Sequence, residues 1–157
     1  MRTLVWALIT LGMLSCNSQA QDKKATTYPV TKTEAQWRAQ LTDAQFYILR
    51  EAGTEPAFTS ELLFEKRKGV FKCAACDTPL FKSEHKFESG SGWPSFDREI
   101  EGNVAFSTDY KIGYARTEEH CATCGGHLGH VFNDGPRKTT GKRHCINGAA
   151  LTFEPEQ

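Results

Sequence analysis

Neither sign of charge predominates in this 157-residue chain: 19 basic residues stand against 19 acidic ones. Without a net field, nothing gathers the protein onto nucleic acid or anionic lipid by electrostatics alone. No apolar run is long enough to span a bilayer comfortably; the stretch from Leu4 to Met13 is too short. There is no internal repeat beyond a Cys-x-x-Cys pattern, and no break in texture that marks a second domain.

What is present starts with Arg2 ahead of that apolar stretch, the form of a secretory signal. Leu14-Ser15-Cys16 closes it and resembles a bacterial lipobox, in which a small residue precedes an acylated cysteine. Met13 and Leu14 depart from the commoner residues there, and an ordinary signal peptide cut near Ala20 is the alternative. The expected division is a lipoprotein-type signal peptide over 1–15, a flexible tether over 16–30 and one domain over 31–157. On this reading the protein is exported to the periplasmic side, held to the membrane only by lipid on Cys16, and monomeric. Removing residues 1–15, whose one ion is Arg2, leaves 18 basic against 19 acidic residues.

Thr33-Glu34-Ala35-Gln36 and Thr42-Asp43-Ala44-Gln45 both have the capping-box form, so two short helices are predicted, the second ending at Gly53. After Pro56 short apolar or alternating runs appear: Val70 to Cys73, Pro79 to Phe81, Val104 to Phe106, Ile112 to Ala115, and Arg143 to Phe153. Gly, Asp, Asn and Pro punctuate them, the pattern of a small antiparallel β domain. The expected class is mainly β with short N-terminal helices: a compact antiparallel sheet or barrel-like domain with a structural metal.

Four of the six cysteines, Cys73, Cys76, Cys121 and Cys124, form two Cys-x-x-Cys knuckles. A two-residue gap lets both sulfurs of a knuckle face one ion, and four thiolates suit a closed, structural Zn2+ site. Iron is the chemical rival. Two disulfides are the alternative in an oxidising compartment, and a thioredoxin-like redox pair is a second, but neither knuckle opens a βαβ helix.

Cys145 is left over. If Arg143 to Phe153 is a strand, Arg143, Cys145 and Asn147 share one face and His144 and Ile146 the other. A guanidinium on the thiol's own face favours thiolate, and Asn147 can donate a hydrogen bond from the same surface. The alternative is a buried, inert thiol. His127-Leu128-Gly129-His130-Val131-Phe132 follows the second knuckle directly, so the metal fixes where two potential proton donors begin. Extra metal ligands or surface histidines are the other options. Trp93, in the glycine-loosened loop Gly90 to Phe96, is either core or the wall of a pocket for a small apolar group.

Taken together, the two knuckles, Gly92-Trp93-Pro94-Ser95-Phe96, His127 to Phe132, Asp134-Gly135-Pro136 and Arg143-His144-Cys145-Ile146-Asn147 resemble the methionine sulfoxide reductase B family over about residues 38–155. The resemblance implies reduction of the R epimer of methionine sulfoxide in proteins. It implies Cys145 as nucleophile, His127 and His130 on the sulfoxide oxygen, and Trp93 and Phe132 around the substrate. Arg143 and Asn147 would tune the thiol, and the four knuckle cysteines would hold zinc. Two departures stand out: His144 lies where many members have Tyr, and Ser91 where several carry a resolving cysteine. The second implies reduction of a Cys145 sulfenic acid by an external, thioredoxin-like thiol. A zinc module without catalysis is the competing reading, one to which Cys145 is irrelevant.

Overall fold

Two threonines set the N-terminal helices. Thr33 caps α1 (Glu34–Gln40) and Thr42 caps α2 (Asp43–Glu51); each side chain accepts from the backbone of Gln36 or Gln45, whose own side chain reaches back to the cap. Both capping boxes are present as expected from sequence. The computed structural model describes residues 27–157, so Cys16, the signal peptide and most of the expected tether lie outside the described residues. Among the described residues no helix is long and apolar enough to cross a membrane. α2 ends one residue earlier than Gly53 suggests: Ala52 takes the left-handed turn. Gly53 is small for another reason, because a Cβ there would overlap the Tyr47 ring.

Nine strands follow: β1 (Gly69–Cys73), β2 (Pro79–Lys82), β3 (Lys86–Phe87), β4 (Ser95–Phe96), β5 (Val104–Asp109), β6 (Arg116–Cys121), β7 (His127–Phe132), β8 (Arg143–Ile146) and β9 (Leu151–Pro155). They form two antiparallel sheets, ordered β2-β1-β9 and β3-β4-β8-β7-β6-β5. The mainly-β expectation holds, with two corrections. Ile112 to Ala115 is not a strand: Asp109 accepts from the Lys111 amide and Gly113 takes φ 89°, turning the chain between β5 and β6. Arg143 to Phe153 is not one strand either. It breaks at Asn147, and a 3-10 turn over Gly148–Ala150 carries the chain from the larger sheet to the smaller.

Aromatic rings join the sheets. Phe81 stacks on Phe96 at 4.4 Å between centroids, and Phe71 meets Phe96 edge-on at 4.9 Å. All three are fully buried, each contributing about 1.5–3 kcal/mol of burial. Phe96 pairs with His144 across the sheet, so His144 faces this core and Cys145, its neighbour, faces the other way.

Candidate active site

The knuckles are built alike. In each, the residue after the second cysteine is left-handed (Asp77, φ 57°; Gly125, φ 68°) and its amide donates to the first cysteine's carbonyl, at 2.9 and 2.8 Å. Gly125 also makes room for the Tyr28 ring. The helices hold both turns from outside: Gln40 donates to the Ala75 carbonyl at 2.7 Å, and Arg50 donates twice to that of Cys124. All four sulfurs lie within 4.8 Å of one another, with Cys73–Cys124 at 3.7 Å and Cys76–Cys121 at 3.5 Å. A tetrahedral ion with bonds of about 2.3 Å to sulfur sets sulfurs about 3.8 Å apart, so the cage fits such an ion. Hydrogen bonding among the thiols splits them: that from Cys121 leads in pushing Cys73 up, and that from Cys124 leads in holding Cys121 down. Only a bound cation lets all four ionise together.

β7 starts three residues after Cys124, the last cysteine of the second knuckle. Cross-strand register places Ser95, Cys145, His130 and Glu118 in one row over β4, β8, β7 and β6. The close approach needs Gly129, where a Cβ would overlap the Cys145 carbonyl oxygen. Strict alternation would turn His127 away from His130, but the register slips by one residue between Glu119 and His120. The bulge brings the two imidazoles to 5.5 Å between centroids.

Each histidine has a carboxylate. Glu118 Oε1 sits 2.6 Å from His127 Nδ1, and that hydrogen bond holds Glu118 below its ordinary range. Nε2 of His127 is thereby the nitrogen left for a ligand. Asp109 Oδ2 lies 2.9 Å from His130 Nε2 and 2.5 Å from Arg116. The Lys111 amide first, then His130 and Arg116, hold Asp109 far below the carboxylate range. Burial pushes His130 down against the pull of Asp109. A cavity of about 400 Å³ opens over the pair, lined also by Tyr47, Asp109, Ile112 and Arg116.

Cys145 is half-buried. Burial pushes its thiol up, outweighing the Ser91 hydroxyl at 3.7 Å and the Arg143 guanidinium, both of which pull it down. Arg143 acts in the predicted direction but is shared. It forms a two-pronged bond to Asp134, at 2.8 and 2.9 Å, and lies 4.5 Å from the Phe132 ring centroid. Asn147 is buried just past β8. Its side chain donates to the Leu128 carbonyl and accepts from the Glu55 amide, so it braces the backbone around the thiol. Trp93 is half-buried, its indole N–H donating to the Glu55 carbonyl at 3.1 Å.

A SelR domain model matches residues 41–155. The peptide methionine sulfoxide reductase MsrB of Agrobacterium fabrum is 53% identical over 127 residues, covering 80% of this chain and 93% of its own. That of Leptospira interrogans is 52% identical over 130 residues, covering 82% and 98%. The chain belongs to the methionine sulfoxide reductase B family. A mouse family member, the mitochondrial methionine-R-sulfoxide reductase B3, is 46% identical over 140 residues, covering 88% of this chain and 54% of its own.

As a reductase B family chain, it places Cys145 and His130 side by side, with His127 and Trp93 set by neighbouring hydrogen bonds and Arg143 stacked on Phe132. Sequence reasoning missed Glu118, Asp109, Arg116 and Glu55. Asp134 stood inside a quoted motif without a role. The only signal for the first two was alternation along β5 and β6, which gains meaning once β7 is paired beside them.

Proposed function

We propose that this chain reduces the R epimer of methionine sulfoxide in oxidised proteins, with Cys145 as nucleophile. The observation that carries the reading is the pairing of Cys145 with His130 across β7 and β8, with His127 brought in by the bulge. A sulfoxide oxygen leaves poorly unless protonated, so an electron pair on sulfur and a proton must reach the same S–O bond. Cys145 enters as a thiol, and its proton ends on that oxygen by way of His127 or His130. The substrate sulfur gains two electrons and becomes the thioether. Cys145 takes the oxygen, loses two electrons and becomes a sulfenic acid. Two external thiols, on our reading those of a thioredoxin-like protein, return it to the thiol with release of water and a disulfide.

Ser91 supports external reduction, since this loop residue, 3.7 Å from Cys145, offers a hydroxyl and no sulfur. The four knuckle thiols would hold Zn2+ as a closed structural ion that ties the start of β7 to the smaller sheet; when bound it leaves no open position for chemistry. We propose also that the chain is exported and anchored through Cys16, on the composition of residues 1–16 alone. A Cys16→Ala chain that stays with the membrane fraction would remove that proposal.

Turnover of each resolved sulfoxide epimer, with metal content measured alongside, tests the activity. We expect R-epimer turnover and one zinc per chain; turnover of the S epimer alone, or of neither, overturns it. For external reduction the decisive product is the oxidised enzyme: a stable disulfide from Cys145 to another cysteine of the same chain would rule it out.

A further inference from the structure

Glu55 lies in the connection after α2, far in sequence from every motif, yet it touches both sides of the site. Its backbone amide donates to Asn147 Oδ1 at 3.0 Å, and its carbonyl accepts the Trp93 indole N–H at 3.1 Å. Its carboxylate takes two further main-chain donors, the amides of Gly148 at 2.5 Å and Ala149 at 2.9 Å. Those amides open the 3-10 turn that follows the nucleophile's strand. Gly148 has no room for a side chain because Ser60 closes on it from the same connection.

A carboxylate offers a separate, charged oxygen to each of two neighbouring N–H groups, where an amide or hydroxyl offers both of them one neutral oxygen. The side chain therefore pins residue 55 to the turn, and the pinned residue presents its carbonyl to Trp93. β4 runs antiparallel to β8 with Ser95 opposite Cys145, so Trp93, two residues upstream, comes level with Asn147. The Ile146 amide donating to the Pro94 carbonyl at 3.0 Å fixes that level.

We infer that Glu55 is a positioning residue that sets the Trp93 ring against the nucleophile's strand, and through it the fit of the substrate methyl. This rests on the reductase reading above. A loosened ring costs substrate fit more than chemistry, because Cys145 and the histidines are held by other strands.

The test measures KM and kcat on the R epimer for wild type, Glu55→Ala, Glu55→Gln, Trp93→Phe and the double variants. Trp93→Phe keeps a ring but removes the indole N–H. We expect Glu55→Ala to raise KM about tenfold with kcat within about threefold, Glu55→Gln to fall between it and wild type, and Glu55→Ala to add nothing in the Trp93→Phe background. An unchanged KM, a loss confined to kcat, or additive effects would overturn the inference. If Glu55→Ala fails to fold, Glu55→Gln with Trp93→Phe decides by the same rule. Acrylamide quenching of tryptophan fluorescence gives a readout without turnover. With Trp6 replaced by Phe in every chain compared, and Trp37 only 4% exposed, stronger quenching in Glu55→Ala reports a freed Trp93 and unchanged quenching overturns the inference. Should wild type reduce neither epimer, the reductase reading fails while the quenching result still decides the Glu55–Trp93 link.

Discussion

Cys121 and Cys145 stand near the ends of strands in the same sheet, separated only by β7. Both thiols are withdrawn from water, Cys121 completely and Cys145 in part. Their company differs. Cys121 has three other sulfurs within 4.8 Å, two of them brought by a knuckle from the other sheet. Cys145 has a serine hydroxyl, a guanidinium already committed to Asp134, and His130 across the strand. Crowded thiols cannot all ionise without a cation, so the first group demands a metal. The solitary thiol has no such crowd of sulfurs, and burial, not other thiols, pushes it up. Burial alone does not separate a structural cysteine from a reactive one; the neighbours do.

The largest effect comes from breaking the crowded side. Cys121→Ala should lose bound metal and cooperative folding together, because metal binding on the order of 10 kcal/mol is comparable to the whole net stability of such a domain. Metal analysis and thermal unfolding check this; a Cys121→Ala protein that melts like wild type would remove the structural role of the cage. Next is the solitary side. Cys145→Ser should abolish turnover while metal content and melting stay as in wild type, since a hydroxyl is far harder to ionise than a thiol and no sulfur of the cage depends on it. Retained turnover would remove Cys145 as the nucleophile, whereas a wild type without turnover would favour the zinc module without catalysis.

The crowded side was the more legible from sequence, for a physical reason. A Cys-x-x-Cys turn is local, so its spacing already states its geometry, as the two capping boxes state theirs. The alternation of Arg143, His144 and Cys145 was legible too, and His144 does face the core. What stayed hidden depends on distant pairing. By strict alternation His127 points away from His130, and only the bulge against β6 reverses it. Glu118 and Asp109 become histidine partners through strand register, and Glu55 reaches residues 147–149 across some ninety positions. For Cys145 a sequence displays the cation beside the thiol but not the burial that opposes it.

A third variant sharpens what surrounds the solitary thiol. Glu118→Gln leaves the His127 ring in place but removes the carboxylate that orients it. If His127 supplies or relays the proton, kcat should fall about 10²-fold, toward the low end of the range for a displaced general acid. Metal content should not change. A fall below threefold would assign the proton to His130 alone.

The smallest effect falls on the thiol's own proton. The folded-state pKa of Cys145 is raised by burial, so alkylation by iodoacetamide should increase with pH, with a midpoint above that of a free thiol. The same sign applies to stability: the contribution of the protonated thiol is complete below the unfolded-state value and is lost as pH rises through the folded one. Ser91→Ala removes a hydrogen bond that pulls the value down. A bond worth about 1 kcal/mol moves the midpoint up by about 0.7 of a unit, or about fivefold slower alkylation at a fixed pH below it. Arg143→Ala should shift it in the same direction. A midpoint that moves down in either variant would mean that the hydroxyl and the guanidinium shield the thiol from water more than they stabilise its charge. The contrast with the cage would then rest on exposure and not on company.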